Sequence, residues 1–193
     1  MLILPTPPAE AFTRVKEGLI PLLAEELDIV DDSDYSIEIA RPQPIYTAGL
    51  TDVLSGDLLG NVRLTSWQFL VLRARQPFGS GEVDVERGVG GTETLVYGGF
   101  HLGPYARSVV GTLHIAEGLP PVIERDYEVR ILRIPTVFLY CVWLHSEGHD
   151  DLLLPCKPAP TPLVENNVLE PATIAAALRD LAAYRLSVAD ADI

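Results

Sequence analysis

Residues 127–156, "YEVRILRIPTVFLYCVWLHSEGHDDLLLPC", decide how this chain is read. "YEVRILRI" is a strand candidate. Pro135 breaks that strand from a second, Phe138–His145, and "DLLLPC" supplies a third. Gly148 and the aspartates between the last two are turn formers, so the pair reads as a hairpin with a polar tip. A four-residue loop, Glu147–Asp150, sets Ser146 opposite Asp151 and Cys141 opposite Cys156. Directly opposed cysteines in an antiparallel pair lie near bridging distance. A loop one residue longer or shorter removes that register. The competing reading of Cys141, between Tyr140 and Val142 with no basic neighbour, is a small buried residue with an unactivated thiol, and it is the expectation here.

The same tip carries His145, His149, Asp150 and Asp151, a set with the chemistry of metal ligands. A catalytic zinc takes about three protein ligands on one centre. Spacing across a turn does not bring two imidazoles to a common point, so a solvated turn is expected and no metal site is assigned.

Outward from this hairpin the pattern alternates between strand and helix. "GPYARSVVGTLHIAEG" (103–118) has Pro104 where a first helical position falls and Gly118 where a helix ends. Ala106, Val109, Val110, Leu113 and Ala116 form its apolar stripe. A helix is expected near the N-terminus, with Phe12, Val15, Leu19, Leu22, Leu23 and Leu27 recurring at helical spacing and Gly18 and Pro21 kinking or splitting it. Another begins at Pro171, with Ile174, Ala177, Leu178 and Leu181 inward. "DDSD" (31–34) breaks the chain before a strand at Ile37 and Ile39, which Pro42 and Pro44 should end or place at a sheet edge. "NVRLTSWQFLVLRA" reads as one long strand or two, buried on both faces at Phe69–Leu72, and "EVDVERGVGGTETLVYGG" as a hairpin turning at Gly88, Gly90 and Gly91. This order predicts one α+β domain over residues 1–193: a mostly antiparallel sheet carrying an N-terminal, a central and a C-terminal helix.

Composition narrows function. With 14 Lys plus Arg against 27 Asp plus Glu, the net charge is −13. A field of that sign repels phosphate backbones and anionic membrane surfaces. The densest basic group, Arg125, Arg130 and Arg133, is interrupted by Asp126 and Glu128. Nucleic-acid and membrane partners are therefore not expected. No run approaches the roughly 18 apolar residues of a membrane span, and "MLILPTPP" lacks the basic start of a signal peptide. Two cysteines are too few for a disulfide framework, so a cytoplasmic setting is expected.

The candidate catalytic residues are His114 and Glu117. They stand three apart on the central helix, and a helical wheel puts Glu117 within the apolar stripe. A carboxylate taken from water beside an imidazole could do general acid–base work. "GVGGTET" does not open a helix as a dinucleotide loop does, and "GGFHLGP" lacks the lysine of a P-loop, so no cofactor is assigned. No nucleophile motif such as G-x-S-x-G occurs. Ile115, off the apolar stripe, points to a further contact surface. The expectation is a binding or assembly protein, with a protein partner or self-association. The alternative is a small hydrolase or isomerase using His114 and Glu117, with His101 or His145 nearby.

Overall fold

The computed structural model describes residues 1–26 and 37–189, so the predicted break at 31–34 lies outside the described residues. The strands are β1 (Leu2–Ile3), β2 (Ile37–Thr47), β3 (Arg63–Arg73), β4 (Gln76–Arg87), β5 (Glu93–Leu102), β6 (Tyr127–Ile134), β7 (Leu139–His145) and β8 (Leu152–Pro155). The helices are α1 (Ala9–Glu26), α2 (Leu50–Ser55), α3 (Pro104–Glu117), α4 (Pro120–Glu124) and α5 (Pro171–Ala189). All eight strands join one sheet in the order β5-β4-β3-β2-β6-β7-β8, with β1 beside β6. The fold is α+β, as expected, but the sheet is mixed: β2 and β1 both run parallel to β6.

Alternation along each strand sends its two sets of side chains to opposite faces. On one face α1 packs Val15 and Leu19 against Trp67, Phe69 and Val83. Beside it, α2 and α5 cover Leu132, Ile134, Trp143 and Leu153. The other face receives α3 and α4, whose Val109, Leu113, Ala116 and Val122 meet Ile45, Val129, Ile131, Val142 and Leu154.

Several expectations are corrected. The N-terminal helix is not split at Pro21, which lies inside α1. Its tight point is Gly18, where an added Cβ would collide with the Tyr97 ring. Pro42 and Pro44 neither end β2 nor place it at an edge, because β2 lies between β3 and β6. Proline is tolerated there for a local reason. The β2–β3 register slips between Ala40 and Gln43, and pairing with β6 begins only at Ile45 and stops at Thr47. The prolines therefore sit where no ladder bond to β6 is needed. Gly118 ends α3 at φ −87°, without the left-handed turn expected of a glycine cap.

The hairpin forms, but its register differs from the predicted one. Cys141 faces Pro155, Leu144 faces Leu152, and the Cys156 N–H donates to the Tyr140 carbonyl at 2.7 Å. The pairing is shifted by one residue from the expected register. Cys141 consequently packs on the α5 face and Cys156 on the α3 face. Both are free, buried thiols.

Candidate functional site

The sheet face beneath α3 changes character along its width. Under the body of α3 it is apolar, from Ile45 to Leu154. Toward β3 and β4 it becomes polar. Gln43, Ser66, Gln68, Ser80 and Glu82 are five of the seven buried polar residues among those described, and all lie on this face. Local sequence explains the placement. Ser66 and Gln68 alternate with Trp67 and Phe69 on β3, while Ser80 and Glu82 alternate with Gly81 and Val83 on β4. Register sets Gln68 opposite Glu82 and His101 opposite Ser80.

Glu82 is the centre of the group. Its side chain is 9% exposed, and Arg133 grips it with both terminal nitrogens, Nη2 to Oε1 at 3.0 Å and Nη1 to Oε2 at 3.2 Å. The Ser66 hydroxyl donates to Oε1 at 2.5 Å, and His101 Nε2 stands 3.5 Å from Oε2. Alongside, the Tyr140 hydroxyl donates to Gln68 Oε1, and Gln68 Nε2 donates to Gln43 Oε1 at 3.2 Å. Arg133 and Tyr140 come from β6 and β7, so both reach over β2 to groups on β3 and β4. Arg133 Nε and Gln43 Nε2 are buried without a protein hydrogen-bond partner.

The charges shape neighbouring equilibria. Burial first, and then the negative Glu82, push the Tyr140 phenol well above its ordinary range. Burial together with Glu82 raises the Asp84 carboxyl, against the lowering effect of Arg133.

A cleft of about 480 Å³ opens onto this group. Its floor includes Ser80, Glu82, His101 and Arg133, and its walls carry Tyr105 from the first turn of α3 and Phe138 from the turn after β6. Cavities that hold small ligands are roughly 300–1,000 Å³, apolar in the main with a few convergent polar groups. The groove between α3 and residues 157–166 is of similar size, but its polar groups bond one another. Lys157 N–H donates to Ser108 Oγ at 2.6 Å and Thr112 Oγ1 to Asn166 Oδ1 at 2.7 Å. Ile115, 43% exposed, borders that groove. An apolar groove along α1 is lined by Phe12, Ile20, Ile37 and Ile39.

His114 and Glu117 lie elsewhere, on the outer side of α3. Their side chains are 87% and 54% exposed, with Nδ1 and Oε2 3.6 Å apart. The wheel's placement of Glu117 in the apolar stripe is corrected: α3 buries Ala106, Val109, Thr112, Leu113 and Ala116, which turns Glu117 outward. At the hairpin tip His145 Nδ1 meets Asp151 Oδ1 at 2.8 Å, while His149 and Asp150 are exposed. Among the described residues no group of three or more His, Cys, Asp or Glu is placed to hold a metal. The basic residues 125, 130 and 133 also separate. Arg130 bonds Glu128 and lies over the Trp143 ring, while Arg133 turns to the opposite face and Glu82.

Of the cleft's polar residues the sequence pointed to His101, as a possible neighbour of the His114 and Glu117 pair, and not to those of β3 and β4. Ser66, Gln68, Ser80 and Glu82 follow the period-two pattern of an ordinary solvent face. A usable signal was the presence of such polar pairs on two successive strands, joined to a helix that begins at Gly103-Pro104 close by. Among the described residues, no helix is long and apolar enough to cross a membrane. No family model, curated protein or solved structure matches the chain.

Proposed function

We propose that this protein is a binding protein that takes a small polar molecule in the cleft between α3 and the β3–β4 face. The observation that carries this reading is the buried polar group around Glu82, opening into a cavity. An ion pair whose carboxylate is buried is a poor device for stability, since an apolar replacement of similar volume is often neutral or better. Here the charged pair is accompanied by serine, glutamine, tyrosine and histidine groups that converge on one cavity, the arrangement of a recognition site.

The test is a thermal-shift screen of the wild type, Ser80→Ala and His101→Ala against a library of small polar molecules. A ligand at about 100 times its Kd stabilises the folded state by about 2.7 kcal/mol. At least one compound is expected to raise the wild-type Tm by several degrees and to raise that of the variants less. Compounds that shift all three proteins alike would place binding outside the cleft and sink the proposal.

A second reading, catalysis by a His/Glu pair, is favoured by one observation: His101 stands beside Glu82 at the cavity floor. It moves the acid–base idea from His114 and Glu117 to a concave site. Turnover of a cleft ligand that is lost in His101→Gln, with binding retained, would select this reading.

A further inference from the structure

Phe138 is the residue that the fold does not explain. It is 68% exposed, yet it holds the left-handed conformation at φ 55°. That region suits glycine and is costly for a bulky side chain. A glycine or asparagine would close the turn after Pro135–Val137 with less strain and no exposed ring. One side of the ring is engaged, with the Arg185 guanidinium 5.7 Å from its centroid. The residue also lines the cleft, as do Tyr105 and Tyr140, whose rings are 5.5 Å apart. Strain of this kind gathers where a side chain serves a ligand.

We infer that the cleft selects an uncharged molecule bearing a planar ring, which stacks on Phe138 and turns a hydrogen-bonding edge toward Ser80 and His101. This rests on the cleft being the binding site and adds the class of ligand. Two observations set the class. Aromatic walls favour a flat π-face in offset or edge contact. The floor's formal charges cancel, because Glu82 is already held by both terminal nitrogens of Arg133, and the chain as a whole carries −13. A polyanionic ligand such as a nucleotide finds no free guanidinium fork at this floor. A neutral ring with donor and acceptor groups, of the kind nucleosides and aromatic amides present, matches what is offered.

The experiment is calorimetric titration of the wild type, Phe138→Gly and Ser80→Ala with named probes. Adenosine, nicotinamide and benzamide are the planar set. Cyclohexanecarboxamide, glycinamide and glucose are the non-planar set, and benzamide and cyclohexanecarboxamide carry the same amide on a flat and a puckered ring. Stacking on one aromatic side chain is worth about 1–3 kcal/mol, so a planar probe should lose roughly five-fold or more in Phe138→Gly. The Tm of Phe138→Gly should stay level or rise, because the strained conformation is relieved. That readout separates lost recognition from lost folding. Equal affinity for benzamide and cyclohexanecarboxamide, or planar binding unchanged in Phe138→Gly, overturns the ring inference alone. So does binding confined to glycinamide or glucose and weakened in Ser80→Ala, which leaves the cleft reading standing. If no probe binds any of the three proteins, the ring inference fails outright.

Discussion

Replacing Arg133 by methionine should be among the most damaging single changes on the α3 face, and more damaging than replacing its partner. Arg133→Met strands a carboxylate that is 9% exposed, with only the Ser66 hydroxyl and His101 beside it. Breaking a buried pair from one side costs about 3–5 kcal/mol, and the near-complete burial of Glu82 puts this variant in that range. Glu82→Gln keeps the shape and an acceptor for Ser66, and strands a guanidinium that is 29% exposed. Water reaches such a cation, so the expected loss is smaller, about 1–2 kcal/mol. The double variant removes both charges and should be more stable than Arg133→Met alone, giving a coupling of about 2 kcal/mol or more. Urea denaturation of the four proteins at pH 7, with equal slopes as the check on two-state behaviour, measures all three quantities. If both single variants fall within about 0.5 kcal/mol of wild type, the pair behaves as an exposed bridge. The polar group around Glu82 is then solvated and not a desolvated site.

Four further outcomes are expected. Gly18→Ala should destabilise the protein by about 1–2 kcal/mol in urea, because overpacking against Tyr97 outweighs the better helix propensity of alanine; a second change, Tyr97→Ala, should bring the coupled loss below the sum of the two. Asp84→Asn should raise the denaturation midpoint at pH 7, since a carboxyl whose folded pKa is raised loses stability as pH rises through that value; the advantage should vanish below the unfolded value near 3.8, and a variant no more stable at pH 7 would contradict the assigned burial. An aromatic disulfide reagent at pH 8 should find no reactive thiol in the native protein and two in urea, because Cys141 is pushed well above its ordinary value and Cys156 up to about 11, both chiefly by burial. His114→Ala and Glu117→Ala should each change stability by less than about 0.5 kcal/mol, as exposed surface groups do, and any activity lost with either would restore them as a catalytic pair.

Local patterns carried much of the fold. Pro104 and the stripe from Ala106 to Ala116 mark α3, and Pro171 with Ile174 and Leu178 marks α5, because both signals are complete within one element. What failed depended on other strands. The prolines of β2 look like an edge until one sees that β6 pairs with only Ile45–Thr47. The Cys141–Cys156 register turned on a shift of one residue, a difference that moves a side chain to the other face of a sheet. The cleft was hidden for a similar reason. A polar period of two says that a face is not apolar, and it does not say whether water or a helix and a distant arginine will meet it. Arg133 and Glu82 are 51 residues apart, and their meeting is a property of strand order.

That strand order also makes the sheet a seamed one. β3, which carries β4 and β5, pairs with β2 from Ile37 to Thr47 with slips at Ala40/Gln43 and Ile45/Tyr46, whereas β6, β7 and β8 join it through three residue pairs, Ile45 to Ile131, Tyr46 to Leu132 and Thr47 to Arg133. The Arg133–Glu82 and Tyr140–Gln68 contacts act as stitches thrown across this short join, and the cleft lies directly over them. Helix α3 bridges the same join, packing on both β4 and β7. A molecule seated in the cleft, as proposed, would touch Ser80 and Glu82 of one half and Arg133 and Tyr140 of the other at once.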